Sequence, residues 1–360
     1  MLEKIIKDKI FKNGYVTIED FINLSLFHSK FGYYINRNPI GKVSDFTTSP
    51  EISQIFGEII AFFLIDFWQK KYSNQKINLV EMGAGHGTLM YDFLRISKKV
   101  PSFYQNVNIN IIEINQKLKN IQQNKLQDFS VKWWPNFDKF SQNCKNDPIF
   151  FISNELFDCF AIDQFVLKDN IWHQKVVILD GKQLKFDKIK TEIDVETLIA
   201  EESRENVKNG AIVERSLAAE NFMDRLSTEV CKRGGIAINI DYGYYMNFFK
   251  DTLQSVKSHK FSNILNDIGK SDITSHVNFY KLAKISINNE LNVNFMTQRE
   301  FLLSNGLDLR RKILLQSVKT KKEVAMMNSD IGRLIDEDQM GNLFKVMMIK
   351  NVSNKFKLGF

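Results

Sequence analysis

Three glycines at alternate positions separate an apolar segment from one with helical spacing. The chain reads Asn78-Leu79-Val80-Glu81-Met82-Gly83-Ala84-Gly85-His86-Gly87-Thr88-Leu89, which predicts a strand, a tight turn and the start of a helix. Glycine lets the main chain approach a ligand closely, and the free N–H groups at a helix start attract an anion. Gly83, Gly85 and Gly87 are therefore predicted to bind a cofactor; the alternative is a tight turn without a ligand.

The spacing of these glycines indicates which cofactor to expect. Nicotinamide sites carry G-x-G-x-x-G, with the third glycine three positions after the second. Here Gly87 follows Gly85 by two positions, and Thr88 stands where the dinucleotide motif has its glycine. An acid just before the first glycine, here Glu81, is typical of methyltransferases and can attract a cationic methionine group. We therefore expect S-adenosylmethionine as the cofactor, and a dehydrogenase is disfavoured.

Other side chains are candidates for contacts with the same cofactor. Glu113 lies at the end of a second predicted strand, where a carboxylate can accept hydrogen bonds from both ribose hydroxyls of a nucleoside; the alternative is a solvated charge. Thr48 and Ser49, with Thr47, can donate hydrogen bonds to the cofactor carboxylate or line the acceptor channel. Their alternative role is to cap a helix that begins near Pro50.

A third group of polar residues follows the next predicted strand. Asn154, Glu155 and Asp158 come after residues 149–153, and open α/β sheets bind ligands beyond the carboxyl ends of their strands. These three are the candidate catalytic residues. The alternatives are that Asp158 caps the next helix and that Glu155 binds only solvent or cofactor.

Alternating strands and helices should position these residues. Strands are predicted over 77–82, 107–114, 149–153, 211–214 and 236–240, and helices over 51–72, 88–98 and 217–232. This alternation predicts a Rossmann-like α/β sheet, mainly parallel, with helices on both faces. A helical N-terminal region with Thr17 as an N-cap, a helix over 299–315 and a closing strand over 343–349 complete the pattern.

Two regions interrupt the alternation. Residues 172–189 predict a hairpin with Asp180-Gly181 as its turn, and residues 248–272 predict a surface excursion. The whole chain is expected to form a single catalytic unit. We divide it into an N-terminal accessory segment (1–50), a cofactor-binding half of the sheet (51–165), an inserted hairpin region (166–210) and a second half with accessory substrate elements (211–360).

Composition limits the possible partners and location. The net charge is +7, which would suit nucleic acid, but the basic residues are scattered, so a solvated surface is the simpler interpretation. Three widely spaced cysteines without a CxxC pair predict neither a disulfide framework nor a metal site. No apolar run is long enough to cross a bilayer and no leader is recognisable near Met1, so we expect no membrane insertion and a cytoplasmic location.

Several further segments resemble one family, the MidA-type methyltransferases, which include a mitochondrial complex I assembly factor that methylates arginine. Beside the glycine loop, the similar stretches are Phe31-Gly32-Tyr33-Tyr34, residues 45–57, Asn154-Glu155-Leu156-Phe157-Asp158, Asp241-Tyr242-Gly243-Tyr244, residues 272–277 and residues 340–346. Two positions depart from the family: Ala84 replaces its usual proline, and Cys159-Phe160-Ala161 replaces Ala-Leu-Pro. The resemblance implies a class I methyltransferase sheet with a smaller subdomain, methylation of a protein arginine and maturation of respiratory complex I.

An arginine acceptor gives a chemical role to the carboxylates of Glu155 and Asp158. Guanidinium is planar and cationic, so carboxylates can bind it bidentately; we assign this role first to Glu155 and second to Asp158.

Other polar residues have open roles. Asp241 is expected at the same edge of the sheet as Glu155 or in a turn, His259 and His276 are expected to be bases or structural residues, and His86 is expected to point toward solvent. Two alternatives stay open, a nucleic-acid methyltransferase and a catalytically silent assembly factor, and nucleic acid is disfavoured because no aromatic and basic platform is evident.

Overall fold

A computed structural model of the protein describes residues 1–36, 48–245, 248–257 and 260–351. The chain divides into two compact units. Unit 1 comprises Met1–Phe46, Phe157–Met223 and Gly243–Leu282, and unit 2 comprises Thr47–Leu156, Asp224–Tyr242 and Ala283–Phe360. Unit 1 thus contains residues 1–36 of the predicted accessory segment (1–50) and the predicted inserted hairpin region (166–210).

The helices and strands of the described residues are numbered in chain order. The helices are α1 (Leu2–Asn13), α2 (Ile18–Phe27), α3 (Tyr33–Asn36), α4 (Ser49–Ile52), α5 (Gln54–Lys71), α6 (Thr88–Ser97), α7 (Pro101–Tyr104), α8 (Gln116–Lys125), α9 (Phe137–Asn143), α10 (Leu217–Arg233), α11 (Phe279–Asn288), α12 (Gln298–Ser304), α13 (Leu307–Leu315), α14 (Lys321–Ile335) and α15 (Met340–Leu343). The strands are β1 (Val16–Thr17), β2 (Ile77–Met82), β3 (Val107–Ile112), β4 (Val131–Trp134), β5 (Ile149–Asn154), β6 (Asp163–Lys168), β7 (Ile171–Asp180), β8 (Gln183–Lys190), β9 (Ile212–Arg215), β10 (Gly235–Tyr244), β11 (Gln254–Lys257), β12 (Lys260–Phe261), β13 (Asp272–Thr274), β14 (Val277–Asn278), β15 (Asn292–Thr297) and β16 (Phe344–Asn351). Two 3₁₀ helices, Val195–Leu198 and Glu201–Asn206, precede β9.

Unit 2 is built on the predicted sheet. Its strand order is β15-β16-β10-β5-β2-β3-β4. The strands from β4 to β10 run parallel, and β16 lies antiparallel between β10 and β15. Successive residues of β5 point to opposite faces: Phe150 packs against Phe67 of α5, with ring centroids 5.6 Å apart, and Phe151 against Phe137 of α9, at 6.2 Å. Helices thus cover both faces, and the predicted fold class is confirmed.

Unit 1 contains two antiparallel sheets. One has the order β1-β7-β6-β9 with β8 on β7, and the other the order β12-β11-β13. A core of apolar side chains from α1 and α2, including Ile6 and Phe21, packs with Val177 of β7. The predicted hairpin is confirmed as β7 and β8, but Asp180 pairs with Gln183, so its turn is Gly181-Lys182 and not Asp180-Gly181.

Some predicted boundaries are wrong for local reasons. The helix predicted over 51–72 is two helices, because Ser53 has an extended backbone (φ −152°, ψ 135°) and caps α5 through a hydrogen bond from the Ile55 N–H. The helix predicted over 299–315 is interrupted at Gly306, whose φ of +96° starts α13 anew. The surface excursion over 248–272 contains strands β11 and β12.

The N-cap predicted at Thr17 is confirmed. Thr17 caps α2, accepting a hydrogen bond from the Asp20 N–H at 3.1 Å, and Gly234 and Gly235 follow the end of α10 with positive φ. None of the helices in the described part of the chain is long and apolar enough to cross a membrane.

Candidate cofactor and acceptor site

The glycine loop joins β2 to α6 in the predicted way. Gly83, Gly85 and Gly87 have φ of +74°, +53° and +76°, conformations that residues with a Cβ adopt only at a cost. A Cβ on Gly83 would also lie 3.3 Å from Cδ1 of Leu156. The loop therefore requires its glycines both for its backbone shape and for the space beside it.

Glu81, in β2, is a buried carboxyl with one oxygen unused. The side chain is 3% exposed. Burial raises the pKa of Glu81 to about 8, against the opposing effect of a hydrogen bond from the Met90 N–H. Its Oε2 atom forms no hydrogen bond with any residue that the structure describes. A buried acceptor without a donor is costly, so this position favours a ligand that brings a donor or a positive charge.

Asn154 supplies a second unused acceptor on the neighbouring strand. Ile152 of β5 pairs with Glu81, and Asn154, two residues on, points to the same face of the sheet. Its Nδ2 atom donates to Oε1 of Glu155 at 3.0 Å, whereas its buried Oδ1 has no partner among the described residues. Two such acceptors on one face would suit an ammonium group, and the catalytic role that the sequence suggested for Asn154 stays a prediction.

Glu113 follows β3 and is connected to the glycine loop through a residue that the sequence did not indicate. Gln122 of α8 is fully buried and donates from Nε2 to the Gly85 carbonyl and to Oε2 of Glu113, both at 2.9 Å. The Asn115 N–H donates to Oε1 of Glu113 at 2.8 Å. An ionised carboxylate has about four acceptor positions, so both oxygens of Glu113 retain capacity for a ribose.

The predicted hydroxyl residues lie at the start of α4. Thr48 is buried and occupies the N-cap position, but its side chain accepts no hydrogen bond from an N–H group of the helix. Ser49 is inside the helix, fully buried, and its hydroxyl donates to Oε1 of Gln298 at 3.4 Å. Capping by Ser49 is therefore wrong, and its role toward a cofactor stays a prediction. Thr47 lies outside the described residues.

A polar network that the sequence did not indicate ties α4 to the loop. Oε1 of Glu51 accepts a hydrogen bond from the Thr88 hydroxyl at 2.5 Å, and Nζ of Lys125 donates to the same hydroxyl oxygen at 2.5 Å. Nδ1 of His86 is 3.6 Å from Oε1 of Glu51. Contacts with His86 and then Thr88 lower the pKa of Glu51 to about 2, against the opposing effect of burial. His86 therefore faces Glu51, and its predicted solvent orientation is wrong.

Glu155 occupies a strained turn directly after β5. Its φ of +51° is in the left-handed region, which non-glycine residues rarely adopt. The Glu155 N–H donates to the Ile240 carbonyl at 2.9 Å, and the Leu156 N–H donates to Oδ2 of Asp241 at 3.1 Å. Asp241 is fully buried within β10, so the alternative of a turn at Asp241 is wrong. These bonds hold Glu155 at the carboxyl end of β5, beside Ile240 and Asp241 of β10.

Asp158 and His276 belong to unit 1. Asp158 is 6% exposed, and its carbonyl accepts a hydrogen bond from the Ser275 N–H at 3.1 Å. No helix begins between it and β6, so the alternative that Asp158 caps a helix is wrong. His276 stacks on Phe248 with ring centroids 6.0 Å apart, and burial lowers its pKa. His259 lies outside the described residues.

Comparison with known proteins places these features in a family. Residues 59–297 match the family of S-adenosyl-L-methionine-dependent methyltransferases. The chain is 28% identical to the mitochondrial protein arginine methyltransferase NDUFAF7 of Danio rerio, over 97% of this chain and 87% of that protein. It is 26% identical to the Homo sapiens protein of the same name, over 93% and 81%.

A solved structure has the same fold. It is described as a member of the COG1565 superfamily and a likely methyl transferase, from Burkholderia thailandensis, and it is bound to S-adenosyl-homocysteine. Its TM-score is 0.83 at 20% identity, and the match covers 97% of this chain and 92% of that one. A native structure from the same organism gives a TM-score of 0.81 at 19% identity. The resemblance inferred from the sequence motifs is confirmed.

The predicted cytoplasmic location is wrong. The relatives from Danio rerio, Homo sapiens and Drosophila melanogaster are all named mitochondrial. The prediction relied on the lack of a recognisable leader near Met1, and such a lack does not specify a compartment.

Proposed function

This chain belongs to the family of S-adenosyl-L-methionine-dependent methyltransferases, and from that premise we propose that it methylates an arginine of a protein partner. When bound, S-adenosylmethionine supplies an electrophilic methyl group on a sulfonium. The remaining question is which residues of this chain hold the cofactor and which recognise the acceptor.

The residues of unit 2 fit the predicted cofactor. The buried Oε2 of Glu81 and Oδ1 of Asn154 are acceptors without donors in the described chain, which suits the ammonium of its methionine part. Gly83, Gly85 and Gly87 keep the main chain open beside them, and Glu113, braced by Gln122, would accept hydrogen bonds from the ribose. Thr48 remains our candidate for the carboxylate.

The observation that carries the acceptor proposal is the conformation of Glu155. A left-handed backbone is uncommon for a glutamate, and when such strain occurs in the buried part of a fold it is often found at a functional site. The turn holds a carboxylate beyond the end of β5, where α/β sheets present ligand-binding groups. A carboxylate suits the planar, cationic guanidinium of arginine, and the relatives named above are protein arginine methyltransferases.

Glu155 would act on the acceptor by position and charge. Its carboxylate would orient the guanidinium through charge-assisted hydrogen bonds and exclude competing water. Asp158, in unit 1, is our second candidate for acceptor recognition. By the family resemblance, the partner that we propose is a subunit of respiratory complex I.

Replacing Glu155 by glutamine tests this assignment. Glu155→Gln keeps the size of the side chain but removes the charge that holds a guanidinium. Methyl transfer should fall about a hundredfold to a thousandfold, the effect of deleting a preorganised electrostatic contact worth about 2–4 kcal/mol. Cofactor affinity should change by less than about threefold, because the glycine loop and Glu113 would be intact.

Glu290 offers a matched control for this variant. It is also a glutamate with a left-handed backbone, with a φ of +62°, but it is exposed at the surface of unit 2. Glu290→Gln should transfer methyl at the wild-type rate. If Glu155→Gln does so too, Glu155 does not recognise the acceptor.

A further inference from the structure

Unit 1 contains a cavity, partly open to solvent, that none of the predicted site residues lines. Its wall combines apolar and polar residues, with Leu198, Ile199 and Val213 among the apolar ones. Its polar lining includes Ser203, Glu214 and Asn278. Such a lining suits a ligand group that has both apolar and polar parts.

Glu214 is a buried carboxyl in the wall of this cavity. It is 7% exposed and accepts three hydrogen bonds, from the Thr252 N–H at 2.9 Å, the Thr252 hydroxyl at 2.5 Å and Nε2 of Gln164 at 2.7 Å. All three donors are neutral. Burial raises the pKa of Glu214, because a charge removed from water is costly without a cation beside it.

Lys175, which contacts Gln164, and Arg215, which follows Glu214 in the chain, already form ion pairs with other carboxylates. Nζ of Lys175 lies 2.8 Å from Oδ2 of Asp251 and donates to Oε1 of Gln164 at 2.8 Å, and Arg215 pairs with Glu220 at 3.3 Å. Throughout residues 1–36, 48–245, 248–257 and 260–351, no lysine, arginine or histidine forms an ion pair with Glu214. The position therefore favours a cation brought by a ligand.

Ser203 provides an independent indication of a ligand. It is 1% exposed and lines the same cavity. Its hydroxyl forms no hydrogen bond with the described part of the protein. Buried hydroxyls are nearly always hydrogen-bonded, so this one is ready to accept a hydrogen bond from a group inside the cavity.

The remaining wall is aromatic. Tyr244, Phe248, Phe249 and Tyr280 contribute rings to the lining, and the rings of Tyr244 and Phe248 stack with centroids 4.8 Å apart. Burial and the nearby Glu214 charge raise the pKa of Tyr244, so its hydroxyl stays neutral. Aromatic rings beside a carboxylate attract cations, and a guanidinium, weakly hydrated and planar, stacks on such rings better than an ammonium.

We propose that this cavity binds the guanidinium of an arginine side chain from the protein partner, with Glu214 supplying the charge and Ser203 a hydrogen-bond acceptor. The aliphatic residues of the wall would contact the methylene stem. The proposal deepens the proposed function, because it makes unit 1 a second place at which the protein recognises arginine in its partner. The choice of a protein partner rests on the proposed function.

Titration calorimetry of the full chain with N-acetyl-arginine-methylamide tests the proposal directly. The wild type should bind this probe without cofactor. It should bind the uncharged citrulline analogue and the lysine analogue at least about tenfold more weakly, since both lack a charged planar donor group. Equal binding of the three probes, or no binding of the arginine probe, would overturn the proposal.

Two variants locate the probe in the cavity. Glu214→Gln should weaken binding about tenfold or more, and its amide can keep the bonds with Thr252 because a hydroxyl accepts as well as donates. Ser203→Ala should weaken binding about threefold to tenfold without lowering the thermal midpoint of unfolding, since its hydroxyl makes no hydrogen bond. Ser203→Ala therefore remains informative if Glu214→Gln fails to fold.

Glu205→Gln is the matched control, because Glu205 lies in the same 3₁₀ helix as Ser203 but is exposed. It should bind the arginine probe like the wild type. If all three variants bind alike, the probe does not occupy the cavity and the proposal is wrong. Probe binding requires neither cofactor nor methyl transfer, so its failure leaves the Glu155 assignment standing, and failure of that assignment leaves this test intact.

Discussion

Burial raises the pKa of Glu81 and of Glu113, although their surroundings differ. Both oxygens of Glu113 accept hydrogen bonds from the protein, whereas Oε2 of Glu81 has no partner in the described chain. Glu81 is therefore the group of the cofactor site whose protonation should respond most to a bound cation. This difference leads to separate predictions for the two residues.

The first prediction concerns protons released at Glu81. With a pKa of about 8, raised from 4.5, Glu81 is largely protonated near pH 7, and a bound ammonium should ionise it. Calorimetry in buffers of different ionisation enthalpy should show about half a proton or more released per S-adenosylmethionine bound at pH 7. Glu81→Gln should abolish this release, and the same release from the variant would contradict the assignment.

Glu81 also has a predicted effect on stability. Its folded-state pKa lies above the unfolded value, so the folded protein keeps a proton that the unfolded chain loses between about pH 4.5 and 8. Burial of Glu81 therefore destabilises the protein progressively as the pH rises through that range. The free energy of unfolding of Glu81→Gln, compared with that of the wild type, should therefore be larger at pH 8 than at pH 5. Urea unfolding of both proteins at both pH values measures this difference.

The second residue prediction concerns Glu113. If it accepts hydrogen bonds from the ribose hydroxyls, Glu113→Ala should weaken S-adenosylmethionine binding about tenfold to a hundredfold, the loss of about 1.5–3 kcal/mol of charge-assisted hydrogen bonding. Calorimetry would measure the dissociation constant, with the exposed Asp128→Ala as the control. An unchanged constant for Glu113→Ala would leave Glu113 only the role of bracing Gln122.

Residue type alone identified part of the candidate site. Glu81 and Glu113 could be predicted because each ends or precedes a recognisable turn. Gln122 and the network of Glu51, Thr88 and Lys125 could not, because each depends on a contact between helices distant in sequence. Glutamine on a helix usually faces solvent, and no spacing signals that Gln122 is buried.

At the scale of elements, the glycine loop is the segment whose shape and function are most closely linked. Strand β2 was predicted with its observed bounds because a parallel strand buried on both faces is a short, continuous apolar run. The break between α4 and α5 was not predicted, because the apolar periodicity continues across Ser53. Strand β15 and helix α14 were also missed, since their apolar residues mix with polar ones.

The third prediction tests the loop as an element. Gly85→Val places a β-branched residue at a φ of +53°, which should distort the loop and abolish detectable S-adenosylmethionine binding in calorimetry. The circular dichroism spectrum should stay close to that of the wild type.

The matched control for Gly85→Val is Gly306→Val. Gly306 also lies in unit 2 with a positive φ, and a Cβ there would meet no atom within 4 Å. Gly306→Val should cost stability through backbone strain but keep cofactor affinity. Equal loss of binding in both variants would show that strain, and not the loop, explains the effect.

At the scale of the whole molecule, motif order indicated the family and a smaller subdomain beside the sheet, whereas the cellular location did not follow from the sequence. The chain was expected to be a single catalytic unit, and the described residues form two compact units; that both serve one reaction is our proposal. The net charge of +7 was compatible with nucleic acid, and the scattered basic residues and the family match both favour a solvated surface charge instead. Segments far apart in sequence build unit 1, so no local pattern outlined it.

The measurement that tests the central claim most directly is the identity of the methylated residue. The protein is incubated with S-adenosylmethionine carrying a labelled methyl group and with an extract of mitochondria, and the labelled products are mapped by mass spectrometry. We predict label on an arginine of a protein, lost with Glu155→Gln and retained with Glu290→Gln. Label in nucleic acid, on a different side chain, or at undiminished level with Glu155→Gln would contradict the account.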